Sequence, residues 1–370
     1  MYAPFVGRLA LKPPLAGNTA TPQGFFPQTS PRRHPLDARR LEGKPPYRKL
    51  FFEVISMKIK LLSLFLIACL LCGCAAAPAE TVSESPTAVT FTDDLGRTVT
   101  VDTPKRVAAL LGSFAQVWML AGGEVIATAD DAWEDFGLDL PEDAVNLGGT
   151  KHLSLELLLS AQPDFILAST NTRQNMELQE TLEATSIPVA YFDVFNFSDY
   201  LRLLKICTQI TGCPDRYETY GTAVQQEINA VIARSRERLQ AQPAPKVLFL
   251  RASASAVHVK NSEGVVLGDM LKNLGCVNIA DSDATLLENL SIERILEADP
   301  DFIFIVQQGD NEAGTREYVR QFLQEHPAWS QLTAVKNGNV HFMEKSLFGL
   351  KPNHRWGQAY EIVEDILSHG

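Results

Sequence analysis

The sequence predicts an α/β protein with two similar Rossmann-like lobes, each around a central parallel sheet, joined by a long helical segment. Three observations carry this. A sixteen-residue stretch occurs twice, as Ser154-Leu-Glu-Leu-Leu-Leu-Ser-Ala-Gln-Pro-Asp-Phe-Ile-Leu-Ala-Ser169 and as Ser291-Ile-Glu-Arg-Ile-Leu-Glu-Ala-Asp-Pro-Asp-Phe-Ile-Phe-Ile-Val306, with eight identical positions. Short apolar runs alternate with amphipathic helical segments on both sides of the middle of the chain, the pattern of a parallel sheet. Between them, residues 198–239 read as almost wholly helical, broken at Gly212-Cys213-Pro214.

Each copy of the repeat parses the same way. Ser154 and Ser291 are N-caps, because a hydroxyl accepts from an orphan N–H of the first turn. Glu156 and Glu293 fall in that turn, where the helix dipole favours negative charge. Pro163 and Pro300 stop the helix. The apolar runs at 165–168 and 302–306 then suit fully buried strands. Helix followed by buried strand is half of a parallel α/β repeat.

The chain has 370 residues, 45% hydrophobic, enough to bury two cores. Its first 74 residues hold eleven Lys/Arg and three Asp/Glu, which leaves 22 basic and 41 acidic residues beyond them, a net charge of −19. That balance argues against nucleic acid as a partner. Residues 1–56 contain nine of the 21 prolines and no apolar periodicity, so they are expected to be disordered or an upstream misannotation, with translation starting at Met57. Residues 57–74 form a secretory signal: Met-Lys-Ile-Lys, an apolar run over 61–71, then Leu71-Cys72-Gly73-Cys74. The ending resembles a bacterial lipobox, which implies lipidation of Cys74. Residues 75–88, rich in Ala, Pro, Ser and Glu, form a flexible tether.

Taken in order, residues 89–101 alternate about a turn at Asp94-Leu95-Gly96, a hairpin pattern. A first core strand leads from Pro104 to Leu110, a helix runs from Gly112 to Ala121, and a strand covers 125–129. Residues 131–150 look irregular. The first repeat copy and the helix–strand pair 174–185 and 189–192 complete a lobe over 89–197. Residues 198–242 form the linker; its stretch 215–239 would reach about 37 Å as one helix. The second lobe, 243–370, opens with a strand at 246–250 and continues through His258-Val259, a helix at 267–274, the second copy, a helix at 315–325, a strand at 340–343 and a final helix at 356–368. Cys207 and Cys213 flank a helix end, where a bridge is open to them. The odd number of cysteines, with Cys276, favours buried or free thiols.

Thr92-Asp-Asp-Leu-Gly-Arg-Thr-Val99 with Pro104-Lys-Arg-Val107, both Ser-x-Glu…Pro-Asp copies, and Trp329-x-x-Leu-x-Ala-Val-Lys-Asn-Gly-Asn-Val340, in this order behind a lipobox, resemble the substrate-binding lipoproteins of iron–siderophore, haem and cobalamin ABC importers. The resemblance spans about residues 89–368 and implies two lobes joined by one rigid helix with a ligand cleft between them. It implies an extracytoplasmic protein anchored to the membrane through Cys74, with no catalysis and no cofactor. It also implies docking on the permease dimer, with its ATPase, through one glutamate per lobe, here Glu156 and Glu293.

Ligand contacts in that family come from loops at the strand ends facing the cleft. In the first lobe these are Ser113, Trp133, Lys151, Asn171 and Arg173; in the second, Arg251, Lys260, Phe348, Lys351, Arg355 and Trp356. The Lys and Arg among them lead to the expectation of a cationic cleft for an anionic ligand, best a ferric siderophore. Cobalamin would lean on Trp133 and Trp356. Haem needs an axial ligand, for which Tyr191, His152, His354 and Met343 are open. A zinc or manganese receptor needs converging histidines, and the six beyond residue 74 form no pair at helical spacing. No Gly-x-Ser-x-Gly elbow, Walker loop or dinucleotide fingerprint points to an enzyme.

Overall fold

The computed structural model describes residues 88–370. The signal segment, Cys74, the tether and the segment 1–56 lie outside the described residues. Among the described residues, no helix is long and apolar enough to cross a membrane.

The expected hairpin pairs β1 (Val89–Thr92) with β2 (Thr98–Val101). Its turn needs the left-handed φ of +76° at Gly96. Asp93 is buried and accepts from the backbone N–H of Leu95, Arg97 and Tyr191, which fastens the hairpin to the first lobe.

The first sheet has the order β5-β4-β3-β6-β7, all parallel. Its strands are β3 (Val107–Ala109), β4 (Val125–Thr128), β5 (Val145–Asn146), β6 (Phe165–Ser169) and β7 (Val189–Phe192). The helices between them are α1 (Gly112–Leu120), α2 (Asp131–Glu134), α3 (Leu155–Ser160), α4 (Arg173–Glu177) and α5 (Gln179–Glu183). The stretch expected to be irregular after Asp131 thus contains a helical turn and a two-residue edge strand, both too short for periodicity to reveal.

The linker starts with α6 (Phe197–Thr211), entered by a reciprocal capping box between Asn196 and Asp199 and ended by Gly212 at φ +70°. It resumes with α7 (Pro214–Tyr217), passes through a π-helical turn over Glu218–Thr222 and continues as α8 (Ala223–Ala241). The predicted break therefore falls where expected, and the long segment carries an additional wide turn.

The second sheet has the order β10-β8-β11-β12. Its strands are β8 (Lys246–Ala252), β9 (Val257–Lys260), β10 (Val277–Asn278), β11 (Phe302–Gln307) and β12 (Val340–Met343). β9 is antiparallel to β8, a departure from an all-parallel sheet. The connection from Ala252 to Val257 is a tight turn, and parallel pairing needs a long crossover. The helices are α9 (Val266–Asn273), α10 (Ala284–Glu288), α11 (Ile292–Ala298), α12 (Glu312–Val319), α13 (Thr333–Lys336), α14 (Lys345–Phe348) and α15 (Trp356–His369). Cys207, Cys213 and Cys276 are all free thiols.

One apolar core runs through both lobes on the linker side. It joins Phe114, Phe165 and Phe192 of the first lobe to Tyr200, Leu204, Ile228 and Val231 of the linker, and these to Phe249, Phe304, Trp356 and Tyr360 of the second lobe. Each sheet buries its other face in a separate cluster, around Leu110, Leu158 and Tyr191 in the first lobe and around Ile295, Ile305 and Trp329 in the second. A shared core resists separation of the lobes, because opening it would expose apolar surface to water.

Candidate functional site

In a parallel sheet every strand ends on the same side, and loops leaving those ends gather around one crevice. Here the loops of both lobes meet. One cavity of about 440 Å³ is lined by Ser113 after β3, Asp131 after β4, Lys151 and Thr172 of the first lobe, and by Gln308, Asp310, Lys345 and Lys351 of the second. A second, of about 610 Å³, adjoins it through Glu134, Asp135, Asp310 and Lys345 and extends to Arg316, Phe342 and Glu344. A third, of about 460 Å³, shares Lys151 and Gln308 with the first and reaches His258.

Local sequence explains how these groups are aimed. The backbone N–H of Gly112, at the start of α1, donates to Asp131 Oδ1 at 2.8 Å, so the end of β3 and the start of α2 are drawn together. A Cβ on Gly112 would lie 2.4 Å from Ala132 N, which leaves room only for glycine. Burial pushes the Asp131 carboxyl up to about 6; the Gly112 N–H and Lys351 pull it down, and Asp135 and Asp130 add to the rise. Burial lowers the Lys351 ammonium, with Arg251 adding to the effect and Asp131 and Asp193 opposing it. Lys351 Nζ stands 5.6 Å from the ring centre of Phe114.

The segment between β12 and α15 crosses the seam between the lobes. Lys345 Nζ donates to Asp135 Oδ1 and Oδ2 at 2.7 and 2.9 Å in the first lobe, and to Asp310 Oδ1 at 2.6 Å in the second. Deeper down, Asn353 is buried at φ +53° and donates through Nδ2 to the Ser113 carbonyl (2.9 Å) and to Gln116 Oε1 (2.8 Å). The seam is closed by an edge contact between Phe197 and Trp356, ring centres 6.1 Å apart.

Of the eleven expected contact residues, the cavities gather Ser113, Lys151 and Lys351. Trp356 and Phe348 lie in the shared core, 0% and 2% exposed, and present no surface to the crevice. Arg251 is held below the segment after β12, with Nη2 donating to the Gly349 carbonyl at 3.3 Å and Nε buried without a partner. Arg355 is occupied by Gln358, Ser346 and Glu344. Arg173 turns along its own helix to Glu177 and is 90% exposed. Asn171 donates to Asp193, Trp133 is half-buried on α2, and Lys260 is half-buried on β9; none of the three lines a cavity described above.

The expectation of a cationic cleft is corrected. The adjoining cavities of about 440 and 610 Å³ carry seven carboxylates (Asp130, Asp131, Glu134, Asp135, Asp310, Glu312 and Glu344) against Lys151, Arg316, Lys345 and Lys351. The cations stand near strand ends, where the sequence marks them; the acids of α2 and of the loop after β11 carry no such mark and fold inward alongside them. Of the possible haem ligands, His152 and Met343 line cavities. Tyr191 is fully buried, and His354 packs edge-on against Tyr220 on the linker side. Among the described residues, no three His, Cys, Asp or Glu side chains converge to hold a metal ion.

Glu156 and Glu293 are exposed, each second after its capping serine at the start of α3 and α11. Glu293 accepts from the Ser291 hydroxyl at 2.9 Å. Its carboxyl is held below the usual range by the local backbone and by Ser291.

Comparison with known proteins agrees with this architecture. The family model described as periplasmic binding protein matches residues 107–347. The Fe(3+)-citrate-binding protein YfmC of Bacillus subtilis (strain 168) is 26% identical over 297 residues, 76% of this chain and 88% of that protein. The high-affinity heme uptake system protein IsdE of Staphylococcus aureus (strain MRSA252) is 22% identical over 226 residues, 61% of this chain and 75% of that protein. Among solved structures, Staphylococcus aureus SirA complexed with staphyloferrin B superposes with a TM-score of 0.60 at 18% identity, covering 76% of this chain and 98% of that one.

Proposed function

This chain belongs to the periplasmic binding protein family, and we propose that it is the extracytoplasmic receptor of an ABC importer, capturing a ferric siderophore complex between its lobes. The observation that carries the reading is the pair of adjoining cavities, about 440 and 610 Å³, walled from both lobes at the carboxyl ends of both sheets. That is where α/β folds bind ligands, and the combined space suits a compact metal chelate. The names of the relatives, an Fe(3+)-citrate-binding protein and a structure holding staphyloferrin B, support an iron chelate as the cargo. Haem and cobalamin are the alternative ligands, haem being favoured by the likeness to IsdE.

In this reading residues 89–197 and 243–370 are the two lobes and 198–242 the strut between them. Lys151, Lys345 and Lys351 meet oxyanions of the chelate, and Ser113 offers a hydroxyl. Lipidated Cys74 holds the protein at the membrane through the tether. Glu156 and Glu293 then meet a two-subunit permease, and its ATPase drives release. The receptor itself makes and breaks no covalent bond.

Titrating the purified protein with ferric citrate, a ferric catecholate, haem and cobalamin, and following tryptophan fluorescence, tests this. Trp133 lies on the helix beside the cavities and is the reporter; Trp356, sealed in the core, is not. Saturable quenching by a ferric chelate alone is expected. Saturation by haem or cobalamin, with no response to either ferric chelate, would reassign the cargo.

A further inference from the structure

The two lobes are tied by polar contacts at two depths, and only one of them stands in the path of a ligand. The Asn353 tie is sealed in the floor, with its side chain against α1 and the shared core beneath it. The Lys345 tie is at the mouth, where its side chain is 20% exposed and borders both the 440 and the 610 Å³ cavity. Its ammonium is divided between Asp135, across the crevice, and Asp310, on its own side and 80% exposed. Burial works against charge on Lys345, yet the hydrogen bonds and charges of Asp135 and Asp310 together raise its pKa, so the ammonium stays protonated.

From this geometry we infer that Lys345 is the latch of the unliganded cleft and a specificity-determining contact of the liganded one. The inference rests on the binding reading above. While the cleft is empty, the Lys345–Asp135 ion pair pins loop to loop and splits the space into two chambers. A ligand filling both chambers must part that pair. Lys345 remains attached to the second lobe, so the freed ammonium faces the ligand and accepts an oxyanion in place of Asp135. Asp135 turns to solvent, where its charge is hydrated. A chelate without an outward oxyanion pays for the broken pair and receives nothing in return. The latch therefore selects for an anionic chelate in a crevice otherwise rich in carboxylates. Both partners are reachable by water, so salt weakens the pair.

Hydrogen exchange of the full receptor without ligand, combined with ferric citrate titration, separates the two roles. Asp135→Asn removes the latch and keeps the ammonium: exchange at the amides of residues 134–136 should speed up, and ferric citrate affinity should rise by about three- to tenfold because no pair has to be parted. Lys345→Met removes both: the same amides should exchange faster, and ferric citrate affinity should fall. Glu361→Gln, which breaks the Arg234–Glu361 pair away from the crevice, should alter neither. Unchanged exchange at 134–136 in both cleft variants would overturn the latch, and equal affinity in Asp135→Asn and Lys345→Met would overturn the selective contact. Faster exchange in a protein that binds no ferric citrate would keep the latch and count against citrate-type cargo, leaving the two readings distinguishable.

Discussion

The two copies of the repeated stretch, set side by side, show which of their shared residues the fold requires. Ser154 Oγ accepts from the Leu157 N–H at 3.2 Å, and Ser291 Oγ from the Arg294 N–H at 3.3 Å. Before each proline the chain turns through a left-handed residue, Gln162 at φ +52° and Asp299 at φ +45°. Asp164 then accepts from the backbone N–H of Lys105 and Arg106 at 2.7 and 2.8 Å, and Asp301 from that of Lys246 at 2.8 Å, so each aspartate pins the start of the neighbouring strand. The alanine carbonyl ending each helix is also satisfied alike, Ala161 by Arg106 and Ala298 by Lys246. Phe165 and Phe302 point into the core shared by the lobes, whereas Ile166 and Ile303 point into the separate outer cores. Serine, proline, aspartate, phenylalanine and isoleucine thus each have a structural task in both copies.

Glutamate does not. Glu156 has no hydrogen-bond partner in the described residues, and Glu293 is held only locally, by its own backbone and by the serine two residues before it. The helix dipole favours either charge, and no hydrogen bond ties either carboxylate to a residue beyond its own helix start. Two exposed acids at matched places, with no hydrogen bond to a distant part of the fold, support the proposed docking on a partner with two equivalent subunits.

The largest effect should come from breaking that pair of glutamates. Glu156→Arg with Glu293→Arg should abolish uptake in cells while leaving ferric chelate affinity and Tm near their original values; a parallel loss of affinity would remove the docking role. Next come the aspartates. Asp164→Ala strips two backbone N–H groups of their acceptor and Asp301→Ala one, so urea denaturation should show losses of about 2 and about 1 kcal/mol respectively, modest because these bonds border solvent. Equal losses would show that the second bond at Asp164 is idle.

The smallest effect lies in a second matched pair. Asp131 Oδ1 holds the Gly112 N–H at 2.8 Å and Asp281 Oδ1 holds the Ser262 N–H at 2.7 Å, nineteen residues apart in each lobe. Burial raises the Asp131 carboxyl from 3.8 to about 6. The folded protein therefore binds a proton more tightly at Asp131 than the unfolded chain does. Its contribution to stability is full below pH 3.8, is lost as pH rises through that window to about 6, and stays lost above. Asp131→Asn keeps an acceptor for Gly112 without the charge, so Tm at pH 7 relative to Tm at pH 4 should rise by about 2–4 °C over the parent.

Much of this architecture was legible without coordinates. The hairpin, the strands at Val107–Ala109, Phe165–Ser169 and Phe302–Gln307, the break at Gly212 and the final helix all follow from caps, prolines and apolar runs. The crevice was legible only in outline. Strand ends pointed to its rim, yet Trp356 and Phe348, expected there, belong to the core, because aromatic residues fill a core as readily as a binding wall. Lys345, Asp135 and Asp310 went unread because no short-range pattern marks them.

By itself the sequence determined two α/β halves, a helical strut between them, and a matched glutamate in each, since capping, chain reversal and side-chain alternation act over a few neighbouring residues. Only the tertiary structure decided the lining of the crevice and the closure of its mouth. Lys345 meets a carboxylate 210 positions away, and Asn353 a carbonyl 240 positions away. Which charges face one another across a groove depends on how two finished lobes are packed against a common core, and spacing along the chain carries no record of that.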